Sequence, residues 1–230
     1  MREDFREKSY ALYCDIFLYP HFFCGTVRPD FFAAGTFCFW KGWLYWIVFS
    51  LSTFVITAYF LKNDPALIER RIRPTETRPM QIVGQSIAAV LFLGGIIFLP
   101  SLDYHFGWSV VPLWVSILAD ILVVIGFAIV FTVFKVNTFT SRAVEYIEGQ
   151  TVISVGPYSI VRHPMYSGAT LIIFASPFAL DSFWGLIPAL LLMIVIVLRI
   201  LDEEKLLLKE LDGYQNYCCK TKYRLIPFLW

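Results

Sequence analysis

Four long apolar windows stand out along this chain, with the polar residues gathered between them. Trp40 to Leu61, Gln81 to Leu99 and Val110 to Phe134 each have the length to cross a bilayer, which takes about 20 helical residues. Pro100 is expected to end the second span, and the third is long enough to tilt. Ser167 to Leu201 is too long for a single crossing. Pro177 and the turn-like pair Asp181-Ser182 divide it, so the expectation is a helical hairpin with a short arm, Ser167–Leu180, and a full arm, Phe183–Leu201. Residues 10–39 are aromatic but broken by Asp15, Pro20, His21, Arg28, Pro29 and Asp30. An interfacial or re-entrant segment fits that stretch better than a clean span, with Tyr10–Phe23 the part able to insert. The pattern predicts an all-α integral membrane protein of about five transmembrane helices. Residues 1–39 form an interfacial or partly inserted segment, 40–135 carry three spans, and 136–230 carry the hairpin and a cytosolic tail.

Composition agrees with a membrane class. Hydrophobic residues make up 58% and charged residues 16%, against roughly 45–50% and about 25% in soluble domains. Orientation follows from Lys and Arg between the spans. The connection 62–79 carries Lys62, Arg70, Arg71, Arg73 and Arg78; the connection 135–166 carries three more, and the stretch 199–230 six. Loops 101–109 and 181–182 carry none, which places the former group on the cytosolic side. The N-terminus is then expected outside, although Arg2, Arg6 and Lys8 favour inside, and a sixth crossing through 10–39 would reconcile the two. Whether the membrane is a bacterial inner membrane or endoplasmic reticulum is left open. A net charge of +1 with no basic aromatic stripe gives no nucleic-acid surface. Five cysteines without CxxC spacing, and three scattered histidines, give no metal site. Cys218-Cys219, beside an aromatic tail, read either as palmitoylation candidates or as reduced thiols. Met1 to Lys8 alternates charges and shows no cleavable signal. No repeat, linker or obligate protein partner is read from the chain.

Candidate chemistry sits at the two cytosolic edges of the hairpin. Arg162-His163-Pro164-x-Tyr166 opens it, and Asp202-Glu203-Glu204 closes it. The plain reading of the first is a helix start with Pro at N1 and interfacial Arg, His and Tyr. The functional one has Arg162 binding a carboxylate and His163 hydrogen-bonding a polar ligand. For the second, Arg199 and Glu203 are four apart and suited to an ion pair, yet three consecutive acids oppose the local charge rule. An acceptor for an ammonium or for ribose hydroxyls would explain them. Successive helical residues diverge by about 100°, so Glu203 and Glu204 are not expected to face one ligand together. The tail, with Tyr214, Tyr217 and Tyr223-Arg224-Leu225-Ile226-Pro227, is either an interfacial cap or an aromatic cover for a purine. Asp120 is a lone acid within the third span, read as protonated or hydrogen-bonded. No GxGxxG, P-loop, GxSxG or HExxH occurs, so Rossmann cofactor binding, serine hydrolysis and zinc chemistry lack support.

Together, Gly156-Pro157-Tyr158, Arg162-His163-Pro164-x-Tyr166-x-Gly168, the Glu203-Glu204 pair and the closing Tyr…Arg-x-Ile-Pro resemble the isoprenylcysteine carboxyl methyltransferase family. The wider group includes the membrane phospholipid methyltransferases, and the resemblance covers about residues 137–230. It implies an S-adenosylmethionine-dependent methyltransferase whose cofactor lies in a cytosol-facing pocket, with a lipophilic or prenylated acceptor arriving from the lipid. It further implies that His163, Pro164 and Tyr166 line the cofactor pocket and that Arg162 orients a substrate or methionyl carboxylate. Glu204, or its neighbour Glu203, would receive the cofactor's amino group or hold the site electrostatically, and Tyr214 and Tyr217 would help enclose the adenosine. One departure is visible: Gly213 directly precedes Tyr214, where related sequences space the two apart. Rival readings are an amine N-methyltransferase, including one acting on phospholipids, and a non-enzymatic membrane bundle.

Overall fold

A computed structural model of the chain describes residues 31, 33–72, 78–139 and 151–230. Most of the stretch expected to be interfacial, 1–39, lies outside these residues. Its last part packs on the outer end of the bundle, with Phe31 stacked on Trp43 at 4.2 Å and Phe39 fully buried.

The apolar windows become helices because nothing inside them interrupts the backbone ladder and lipid offers no alternative hydrogen bonds. They are α1 (Trp40–Asn63), the short α2 (Pro65–Ile72), α3 (Pro79–Phe106), α4 (Leu113–Val136), α5 (Pro164–Ala179), α6 (Leu186–Glu210) and α7 (Tyr214–Lys220). Among the described residues there is no strand. Three helices, α1, α3 and α4, are long and apolar enough to cross a membrane. The expected count of five spans is not established by this. The hairpin is present, but α5 has 16 residues, about 24 Å of helix, and the last turns of α6 are charged. On α6, Ile187, Leu190, Leu191, Ile194, Leu198 and Leu201 still form an exposed apolar stripe suited to lipid.

The second span does not stop at Pro100. Residues Leu91–Phe98 are π-helical, with the Leu99 N–H bonded to Gly94 O, and the helix continues through Pro100 to Phe106. The wider π turn admits a residue that cannot donate to the ladder, and it brings Gly95 against Pro188 of α6.

Helices α4 and α5 pack most closely along their length. Their crossing is Gly126 against Gly168: a Cβ on either would come within 2.7 Å of the other's carbonyl oxygen. Side chains are absent there because the backbones touch. At the outer end the turn between α5 and α6 is pinned by two buried acids. Lys41 Nζ lies 2.7 Å from Asp181 Oδ1 and donates to Val111 O, while Asp103 accepts from the Ser109 N–H and from the hydroxyls of Ser109 and Ser182. Asp181 takes φ +62, as the tight turn requires. The inner ends of α1, α3, α4, α5 and α6 then gather at the opposite pole.

Candidate functional site

Pro164 starts α5, and Arg162 and His163 before it stand outside the helix. There they pair with the tail as a short ladder: Arg162 N–H donates to Tyr223 O, and His163 N–H to Arg224 O, both at 2.9 Å. Ser167 Oγ donates to Leu225 O at 2.6 Å, and Leu225 is buried in the main core. The tail is thus built into the motif, which sets Arg162, His163 and Arg224 around the last turns of α6.

At the centre is Glu204, only 4% exposed. Its Oε1 lies 2.9 Å from Arg162 Nη1 and 3.4 Å from His163 Nε2, and its Oε2 accepts from Arg224 Nε at 2.7 Å. Burial alone would raise this carboxyl. Hydrogen bonds from His163 and Arg224, with the charge of Arg162, outweigh burial and hold it below the ordinary carboxylate range.

Glu203 faces the same histidine from its other edge. Its Oε1 is 3.9 Å from His163 Nδ1, and its Oε2 accepts from the Tyr166 hydroxyl at 2.9 Å. Both acids thus reach one histidine side chain, although they are adjacent on the helix. The 100° between them is taken up by an imidazole whose nitrogens lie on two edges. Arg199 is directed to the Tyr166 oxygen at 2.8 Å and to Gln81 Oε1 at 3.3 Å.

Of the residues singled out in the sequence, Arg162, His163, Tyr166, Glu203 and Glu204 are brought into one hydrogen-bonded group, with Pro164 setting the helix start. Tyr214 and Tyr217 are buried beside it, with rings 5.7 Å apart. The Tyr217 hydroxyl is used on Tyr158 O at 2.7 Å, so that residue is left with its ring. Gly213 caps α7 at φ +82, a left-handed conformation that turns the chain into Tyr214. Arg224 was visible only as part of the closing motif and had no assigned role. Gln81, Arg78 and Asp202 belong to the same network and were missed; the run of three acids was the one signal for Asp202. Asp120 stands apart in α4, and among the described residues neither of its carboxylate oxygens has a hydrogen-bond partner.

Two buried donors next to Glu204 also lack a hydrogen-bond partner among the described residues: Arg162 Nε and the Tyr214 hydroxyl. Burial, followed by the charge of Glu204, raises the Tyr214 phenol, so it stays a donor. Orphaned buried donors cost roughly 1–3 kcal/mol each. Set among an exposed edge of Glu203 and two tyrosine rings, they fit a ligand carrying acceptors, a cation and an aromatic ring.

Comparison with known proteins bears on that ligand. Residues 114–213 match the phospholipid methyltransferase family. The matched stretch runs from α4 through the hairpin to Gly213, so it contains Arg162, His163, Tyr166, Glu203 and Glu204. It is similar to a branch of the membrane methyltransferase superfamily. No curated protein matches the chain. Among the described residues the chain is helical, with three helices long and apolar enough to cross a membrane, and its stretch 114–213 is similar to the phospholipid methyltransferases; the match leaves the acceptor open.

Proposed function

We propose that the chain transfers a methyl group from S-adenosylmethionine to a lipophilic acceptor, with the site facing the cytosol. The observation that carries this reading is the buried Arg162–His163–Glu204–Arg224 group with its two orphaned donors, inside the stretch that matches a methyltransferase family. Arg162 Nε and the Tyr214 hydroxyl would hold acceptor atoms of the cofactor, its carboxylate or its ribose. Glu203 would take its ammonium, and the rings of Tyr214 and Tyr217 would cover the purine. Bound there, S-adenosylmethionine supplies an electrophilic methyl group on a sulfonium. The protein's part is to align the acceptor and exclude water, which can supply much of the rate.

For the acceptor, the reading made here is the carboxylate of an isoprenylcysteine-like molecule, since a carboxylate attacks without a general base. A second reading, an amine such as an ethanolamine lipid, is favoured by the phospholipid methyltransferase match. It would use Glu203 Oε1, the oxygen not bonded to Tyr166, to accept the amine's proton.

Calorimetric titration of the detergent-purified protein with S-adenosylmethionine tests the common part. Wild type should bind, and His163→Ala and Glu204→Gln should each weaken binding by about tenfold or more, the scale of a lost hydrogen bond to a charged group. A folded wild type that does not bind would remove the proposal. Methyl transfer measured on a prenylcysteine analogue and on an ethanolamine lipid then separates the two acceptors.

A further inference from the structure

Gln81 is a primary amide only 6% exposed, facing the bundle from the first turns of α3. Both of its ends are used. Nε2 donates to Asp202 Oδ2 at 2.5 Å, and Oε1 accepts from Arg199 Nη1 at 3.3 Å. Asp202 Oδ1 in turn accepts from Arg78 Nη2 at 3.1 Å, and Arg78 Nη1 lies 3.0 Å from Asp202 Oδ2 as an ion-pair contact. Arg199 Nε donates to the Tyr166 oxygen at 2.8 Å, and Tyr166 donates to Glu203 at 2.9 Å.

The directions of these bonds follow from donor chemistry. A guanidinium can only donate, so Tyr166 must accept from Arg199, and its single proton is left for Glu203. The amide of Gln81 must present its oxygen to Arg199 and its nitrogen to Asp202, because the reverse would face like against like. In that one orientation both ends of the Gln81 amide are paired. Residues 78 and 81 lie outside the stretch 114–213 that matches the methyltransferase family. This arm is contributed to the site by α3, outside the matched stretch.

We infer that Gln81, together with Asp202, is a positioning residue: it fixes Arg199, so that Tyr166 hands its proton to Glu203 and sets the orientation of that carboxylate. The inference rests on the methyltransferase reading of the site. The plain alternative is a clamp at headgroup depth that merely ties α3 to α6. A clamp would lower stability and leave the site's ligand response unchanged.

The test is a double-mutant cycle on the full-length, detergent-purified protein, read as S-adenosylmethionine affinity and as KM against kcat. Gln81→Met keeps length and volume but makes neither bond. It should raise the Kd and KM for S-adenosylmethionine about tenfold with kcat changed less than about threefold, the scale of one or two hydrogen bonds. Tyr166→Phe should weaken binding similarly, and the double variant should be no worse than Tyr166→Phe alone, because the first acts through the second. Asp202→Asn, which keeps an acceptor for Gln81, should stay within about threefold of wild type, whereas Asp202→Ala should behave like Gln81→Met. Asp202→Ala replaces Gln81→Met in the cycle should the latter fail to purify. Additive losses, or a fall in melting temperature with unchanged affinity, would overturn the inference while leaving the methyltransferase reading standing. A folded wild type that does not bind S-adenosylmethionine would overturn both.

Discussion

Glu204 holds three basic side chains on two oxygens, and its titration is correspondingly displaced. A carboxyl whose folded pKa is depressed contributes stability that is complete above its unfolded value, near about 4.3, and is lost as pH falls through the folded value. Glu204→Gln should therefore lower the melting temperature at pH 7 and flatten its decline below about pH 4, as read by thermal melting in detergent from pH 3 to 7. An acid limb identical to wild type would show that Glu204 does not carry it. Removing one member of a buried ion pair typically costs about 3–5 kcal/mol, so Glu204→Ala is expected to purify poorly. At this scale much of the site was legible. Arg162, His163 and the acidic run are costly residues at a membrane edge, and cost is visible in sequence. Gln81 was not, because an amide near the headgroup end of a span is ordinary until its partners, 118 and 121 positions away, are known.

Helix positions were readable from apolar windows alone, since lipid fixes both the length and the backbone pairing of what crosses it. What escaped was how helices meet. Gly126 and Gly168 look like any glycines in apolar runs, yet each stands where the other's carbonyl leaves no room for a Cβ. Gly126→Ala should force α4 and α5 apart and cost about 1–3 kcal/mol, while shifting Arg162 and His163 at the start of α5. The expected result is a lower melting temperature together with weaker S-adenosylmethionine binding. Gly84→Ala and Gly94→Ala, where an added Cβ meets open space, serve as controls and should change neither. Equal behaviour of all three variants would remove the close crossing as a determinant of the site. Pro100 misled in the opposite direction. A proline reads as a helix end, and only the π-helical stretch before it, unmarked in the sequence, lets the helix continue.

For the molecule as a whole, charge and site lie at one pole. The acids of α6 and the tail gather at the inner end, and from the charge count of the connections that end is expected to face the cytosol. Cys38 precedes α1 at the outer end and Cys219 lies in α7 at the inner end, both exposed. With Cys14, Cys24 and Cys218 replaced by serine, an impermeant maleimide applied from outside should label Cys38 at once and Cys219 only after permeabilisation. The reverse pattern would invert the orientation. The outer pole carries its own lesson, through the ion pair between Lys41 and Asp181 at the tip of the hairpin. Lys41 precedes Asp181 by 140 positions, so α1 is synthesised well before the hairpin whose tip it pairs with. An order of assembly is the expected consequence, with α1 serving as the template on which the tip of the hairpin closes.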